Sequence, residues 1–203
     1  MTISIPSLTR DKLVTRTVRF RGVKDIMFDR FPGDLVTKLE WAQKIYLEEN
    51  TNRLILPSIN IVSFLSSHNT NSAPKRLRDK RKYKDICNSC LSFVEIESCE
   101  GTTSIPFLRN NSPILVGDFG PDKDTKSKIY KHVSVARLEK GIPNPKERPV
   151  LPTPWEIEFK LKLLPNKEIS EQEVVNLFVE GGYAIGLGTF RGVYGKFEVI
   201  KWQ

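Results

Sequence analysis

Trp155-Glu156-Ile157-Glu158-Phe159-Lys160-Leu161-Lys162-Leu163 is the most regular stretch of the chain. Apolar and charged residues alternate without a break, as in a strand with one face buried and the other in water. Shortly after it, Ser170-Glu171-Gln172-Glu173 reads as a capping box that opens a helix. Val174, Leu177 and Phe178 form the apolar side of that helix, and Gly181 or Gly182 is its natural stop. A glycine-rich loop follows, and Lys196 to Trp202 then reads as a second strand. Residues 155–202 therefore predict a β-α-β unit.

The loop is Gly181-Gly182-Tyr183-Ala184-Ile185-Gly186-Leu187-Gly188-Thr189-Phe190-Arg191-Gly192-Val193-Tyr194-Gly195-Lys196-Phe197, and five of the chain's twelve glycines fall between Gly182 and Gly195. Glycine takes positive φ at little cost and lets another backbone come close. Here it is interleaved with Tyr183, Phe190, Tyr194 and Phe197 and with the cations Arg191 and Lys196. Backbone N–H groups, ring faces and positive charge in one loop suit an anionic, base-bearing ligand. A turn that only lets a helix pack closely on a sheet is the alternative, and composition alone does not separate the two.

Upstream of the unit, residues 141–154 hold five prolines, Pro143, Pro145, Pro149, Pro152 and Pro154, and predict a stiff connector. Lys128 to Leu138 alternates as a strand, with Tyr130, His132 and Ser134 on one parity, and residues 91–97 alternate as another. Pro106, Pro113, Gly117, Gly120 and Pro121 break the middle into short pieces. Residues 70–150 thus read as a long irregular insertion. Within it, seven of the ten residues from Lys75 to Lys84 are basic. The reading is a mobile basic finger that contacts phosphates through Lys75, Arg76, Arg78, Lys80, Arg81 and Lys82, with a solvated loop as the alternative. Cys87, Cys90 and Cys99 are an odd count, which argues against a disulfide framework, and Cys87-Asn88-Ser89-Cys90 lacks a second pair for zinc. Free thiols, with no metal or cofactor, are expected.

The first part of the chain supplies a matching half. Leu13 to Gly22 alternates as a strand carrying Arg19 and Arg21 on its polar side. Asp34 is placed to cap a short helix through about Gln43, and Lys44–Leu47 with Arg53–Leu56 reads as a hairpin. Pro57-Ser58 opens a helix ending near His68, with Ile61, Phe64 and Leu65 at helical spacing. Residues 13–69 and 151–203 then form the two halves of an α+β, ferredoxin-like (RNA-recognition-motif-like) core, β-α-β plus β-α-β, interrupted by the insertion. The net charge of +8 favours a polyanionic partner. No apolar run approaches the roughly 20 residues of a membrane span. Met1-Thr2-Ile3-Ser4-Ile5-Pro6 lacks the features of a signal peptide, so a cytoplasmic location without a membrane partner is expected.

At this point the chain resembles the RAMP proteins (repeat-associated mysterious proteins), especially the backbone subunits that coat guide RNA in CRISPR effector complexes, and phage-encoded relatives. Gly186-Leu187-Gly188, the spacer through Gly192, and Gly195-Lys196-Phe197 are similar to the family's C-terminal glycine-rich loop. Leu54-Ile55-Leu56-Pro57-Ser58 and the helix after it are similar to its apolar strand, proline turn and first helix. The family often has a glycine after that proline, where Ser58-Ile59-Asn60 stands here, and the helix lacks the usual arginine. The likeness covers the two ends of the chain and not the insertion.

The resemblance implies a non-catalytic protein that binds single-stranded nucleic acid, RNA before DNA, and multimerises along it with copies of itself and other effector subunits. Gly186, Gly188 and Gly192 would admit phosphates to main-chain N–H groups, Arg191 and Lys196 would supply charge, and Phe190 or Tyr194 would stack. Some relatives cleave RNA with a histidine or a loop aspartate. His68, His132, Asp25, Asp29 and Asp34 are the residues available here, in contexts that match no nuclease pattern. A RAMP-type endoribonuclease, and a phage or defence-system assembly protein acting through protein contacts, remain the alternatives.

Overall fold

The computed structural model describes residues 12–34, 36–66, 71–117, 119–120, 128–137 and 143–203. In chain order these form β1 (Val14–Gly22), β2 (Ile26–Met27), a 3-10 turn (Trp41–Lys44), β3 (Ile55–Pro57), α1 (Ser58–Ser66), α2 (Ala73–Leu77) and α3 (Lys80–Phe93). There follow β4 (Val94–Ser98), β5 (Ser104–Arg109), β6 (Ser112–Pro113), β7 (Phe119–Gly120), β8 (Ile129–Arg137), β9 (Pro143–Leu151), β10 (Glu156–Leu163), α4 (Glu171–Ala184) and β11 (Phe197–Trp202).

The alternating stretch is the centre of the larger sheet. One edge of β10 pairs antiparallel with β1, from Val14↔Leu163 to Arg21↔Glu156. Its other edge pairs with β4 at Phe159–Leu163 and with β5 at Glu156–Ile157. β11 lies on the far side of β1. The antiparallel order β11-β1-β10-β4, with helices between the strands in sequence, is the ferredoxin-like arrangement. Apolar residues at every second position of β10 are fully buried beneath the helices. Phe20 meets Phe159, Phe178 and Phe197 at centroid distances of 5.0, 5.1 and 4.2 Å. The predicted capping box is half present: Ser170 Oγ accepts the N–H of Glu173 at 3.2 Å. At the other end of α4, a Cβ on Gly182 would lie 2.4 Å from the Phe197 carbonyl oxygen. Helix and last strand can therefore touch only because that residue is glycine.

The sheet's opposite face is charged. Glu156 pairs with Arg19 and Arg21, Lys162 with Glu97 at 3.0 Å, and Lys201 with Glu158 at 2.8 Å. Arg19 and Arg21 of β1 thus belong to a cross-strand lattice.

Several expectations are corrected. Residues 70–150 are not simply an irregular insertion, because β4 and β5 are strands of the main sheet and β4 closes the first β-α-β unit. The basic run is helical, not a finger. Asp79 caps α3 by accepting the Arg81 N–H at 2.8 Å, and Ile86, Cys87 and Cys90 form a buried inner side. Lysine and arginine are good helix formers, so charge density did not imply a loop. Leu91, Ser92 and Phe93 end that helix rather than opening a strand. Asp34 accepts from the N–H groups of Val36 and Thr37, yet among the described residues of 34–44 the helical piece is the 3-10 turn at 41–44. The hairpin stands, with Leu47 opposite Leu54 and positive φ at Asn50 and Asn52.

The proline-rich segment is strand β9, paired with β8 from Tyr130↔Val150 to Arg137↔Pro143. Pro143, Pro145 and Pro149 share one parity, so their missing N–H groups all face away from β8. On that side the Pro149 carbonyl still accepts the Phe28 N–H at 3.0 Å. The second sheet runs β2-β9-β8-β7, and Met27, Tyr130 and Val150 form its small core with Tyr194 against it. Among the described residues, no helix is long and apolar enough to cross a membrane.

Candidate nucleic-acid interface

The glycine loop lies where the two sheets meet. α4 ends as the N–H groups of Ile185 and Gly186 both donate to the Gly181 carbonyl, at 2.8 and 3.0 Å. The loop is then stitched to the first part of the chain. Thr189 N–H donates to Met27 O at 2.9 Å and Gly195 N–H to Asp25 O at 2.7 Å. It also closes on itself, with Leu187 N–H on Gly195 O and Gly192 N–H on Ile185 O. Gly195 has φ +69, and a Cβ there would fall 2.0 Å from the Leu187 carbonyl oxygen.

This corrects the role read for the glycines. Gly186 and Gly192 do not offer bare N–H groups, since both donate within the chain, and Gly188 is pressed against the Met27 carbonyl. A loop buried between two sheets must satisfy its own backbone. The packing alternative therefore holds for the base of the loop.

The tip is different. Phe190 is 59% exposed and has φ +54, in the left-handed region a bulky residue avoids. Arg191 is half-buried, and its Nε and Nη1 donate to the carbonyls of Gly188 and Asn71, each at 3.3 Å. Among the described residues no carboxylate pairs with it, and burial pushes its pKa below the ordinary arginine value. A cation held by carbonyls in a partly dry place attracts an anion. Lys196 reaches back to the Tyr183 carbonyl at 2.7 Å.

A ring row runs off the loop, of which the sequence reading named Phe190 and Tyr194 for stacking but not His132. Phe190 lies 6.2 Å from Tyr194 and Tyr194 5.6 Å from His132, centroid to centroid. The Tyr194 hydroxyl is 3.4 Å from His132 Nδ1, and burial, with Asp25 nearby, pushes its pKa up. The available signal was parity: Tyr130, His132 and Ser134 share a strand face.

The cations of the basic run are only partly brought toward the loop. Ala73 sits beside Gly181, whereas Arg78 binds Glu173 at 2.7 Å and Glu180 at 2.9 Å. α2 thus runs back along α4, away from the loop. Lys75 and Arg76 are exposed on it, and Lys80, Arg81 and Lys82 are exposed at the start of α3, with Arg81 on its own cap Asp79. Arg78 serves the fold.

The candidate catalytic residues also have structural partners. Asp25 accepts from the Tyr130 hydroxyl at 2.9 Å and the Thr153 N–H at 3.0 Å, and Asp29 pairs with Arg148 at 2.7 Å. His68 lies outside the described residues. Cys87 and Cys90 are buried on α3 and Cys99 is exposed; all three are free thiols. Among the described residues no cluster of His, Cys, Asp and Glu is arranged to hold a metal.

No protein-family model and no curated protein matches the chain. Among solved structures, it is similar to a chain of the Type III-B Cmr-beta assembly bound to cognate target RNA, with a TM-score of 0.56 at 12% identity. The similarity covers 97% of this chain and 62% of that one. The shared property is the α+β fold, and this chain spans less than two thirds of its neighbour's length.

Proposed function

We propose that this protein binds single-stranded nucleic acid, RNA in preference to DNA, along the backbone and without catalysis, and that copies of it assemble side by side on one strand as CRISPR-type or phage-encoded RAMP backbone subunits do. The observation that carries the reading is Arg191, a half-buried cation fixed by two carbonyls beside an exposed, strained Phe190. A phosphate at Arg191 with a base against Phe190 satisfies both. The RNA in the matched Cmr-beta assembly supports the choice of ligand. The engagement of Asp25 and Asp29 in structural contacts supports binding over cutting. Sequence would be left to base pairing, since backbone-tracking proteins do not read base edges.

Titration of labelled single-stranded RNA against the protein, followed by scattering on strands of increasing length, tests this. Arg191→Ala is expected to weaken binding by roughly tenfold, the loss of one charge-assisted contact, and particle mass is expected to grow with strand length. Self-association without nucleic acid, unchanged by Arg191→Ala, would favour an assembly protein acting through protein contacts. A second reading, RAMP-type RNA cleavage, rests on the Tyr194 hydroxyl lying 3.4 Å from His132 Nδ1. It requires cleavage of RNA by the purified protein that His132→Ala abolishes.

A further inference from the structure

The ring row does not stop at His132. In the register of the second sheet His132 stands opposite Arg148 and Ser134 opposite Lys146, so these residues share one face of the β8–β9 hairpin. Arg148 Nη1 lies 3.4 Å from Ser134 Oγ on that face, and its Nε holds Asp29 at 2.7 Å. Lys146 then borders a hollow of about 460 Å³ that is also lined by Arg30, Phe31, Lys38 and Lys44. Asp29, the acid among its lining residues, is already paired with Arg148. Four cations, Arg30, Lys38, Lys44 and Lys146, thus line the hollow, and Phe31, also in the lining, has 60% of its surface in water.

Rings follow one another by contact from the tip of the glycine loop to His132, and strand register carries the same sheet face on through Arg148 and Lys146 to the hollow with its exposed ring. We propose, building on the single-strand reading above, that this face is an elongated track for a single strand of nucleic acid. Phe190, Tyr194 and His132 form a row on which successive bases stack, and the hollow at Arg30, Lys38 and Lys146 takes phosphates further along the same strand. Stacking is sequence-tolerant because every base offers a ring face, whereas the cations see only the backbone. An acidic protein would use the cations but has no call on three rings in a row. The open face of the main sheet, with its paired charges, is left out of the track.

The test measures affinity and salt dependence for intact and abasic single-stranded RNA of equal length, with melting temperatures recorded for every variant. Phe190→Ala is expected to weaken the intact strand about 5- to 10-fold, at the low end of one lost stacked base, and to leave the abasic strand unchanged. Lys38→Gln with Lys146→Gln is expected to flatten the slope of log affinity against log salt by roughly 1.4, two phosphates at about 0.7 each. The control pair Lys160→Gln with Lys167→Gln lies off the track and should leave that slope unchanged. If the wild type binds with a salt slope but treats intact and abasic strands alike, and the two lysine pairs act equally, the track is wrong and backbone binding survives. If the wild type binds neither strand, the single-strand reading falls and the track with it. Binding of polyglutamate as tight as that of RNA overturns the track in favour of an acidic protein partner.

Discussion

Phe190 is held in a backbone conformation that costs the fold stability. Its φ of +54 places a bulky side chain in the left-handed region, at a cost on the order of 1 kcal/mol. Its ring is mostly in water and recovers little of that by burial. Phe190→Asn, which tolerates this conformation, is expected to stabilise the fold by about 1 kcal/mol and to weaken strand binding. Thermal melts and a binding titration check both halves; a lower melting temperature would mean that the ring is packed after all. Gly195 is the opposite case. With a Cβ 2.0 Å from the Leu187 carbonyl oxygen, Gly195→Ala is expected to cost about 3 kcal/mol or more, read from a urea midpoint. At this scale a ring and a cation are legible as residue types, and the fold puts Phe190 mostly in water and Arg191 half-buried between two carbonyls. Sequence alone misreads Gly186 and Gly192, because the partner of a backbone N–H is a property of the folded loop.

At the scale of elements, the basic run is the instructive piece. Arg78 fastens α2 to α4 through Glu173 and Glu180, and Arg16 fastens β1 to the start of α4 through Glu171 at 2.6 Å. Hydrogen bonds from Arg78 hold the Glu180 carboxyl below its ordinary value near 4.5, and Arg16 with Trp202 does the same for Glu171. A carboxylate whose pKa is lower in the folded state stabilises above its unfolded pKa and loses that contribution as pH falls through the folded value. Melting temperature is therefore expected to drop on acidification below about pH 4.5, and Arg78→Met to flatten part of that drop. Equal slopes in the two proteins would show that the contacts add nothing. The strict alternation of β10 and the cap of α4 were readable because each is written in a few neighbouring residues. The helix at 80–93 hid behind its charges, its apolar side reduced to Ile86, Cys87 and Cys90. The strand at 143–151 hid behind prolines whose single parity left its pairing with β8 intact.

In the whole molecule, the glycine loop joins two sheets. It donates to Met27 and Asp25 beyond β1, while the Lys196 carbonyl accepts from Val23 and Lys24. The ferredoxin-like core was legible from its two ends, but the second sheet was not, because β8 and β9 acquire meaning only where Tyr194 meets His132. The main sheet's open face carries paired charges, whereas the loop carries exposed Phe190 and the carbonyl-held Arg191. The net charge of +8 would draw any polyanion, and contact with a phosphate backbone has a specific signature. The most direct test is the affinity for single-stranded RNA measured across a range of salt. Engagement of three or more phosphates predicts a slope of log affinity on log salt of about −2 or steeper. A flat slope, or equal affinity for an uncharged polymer, would contradict the account.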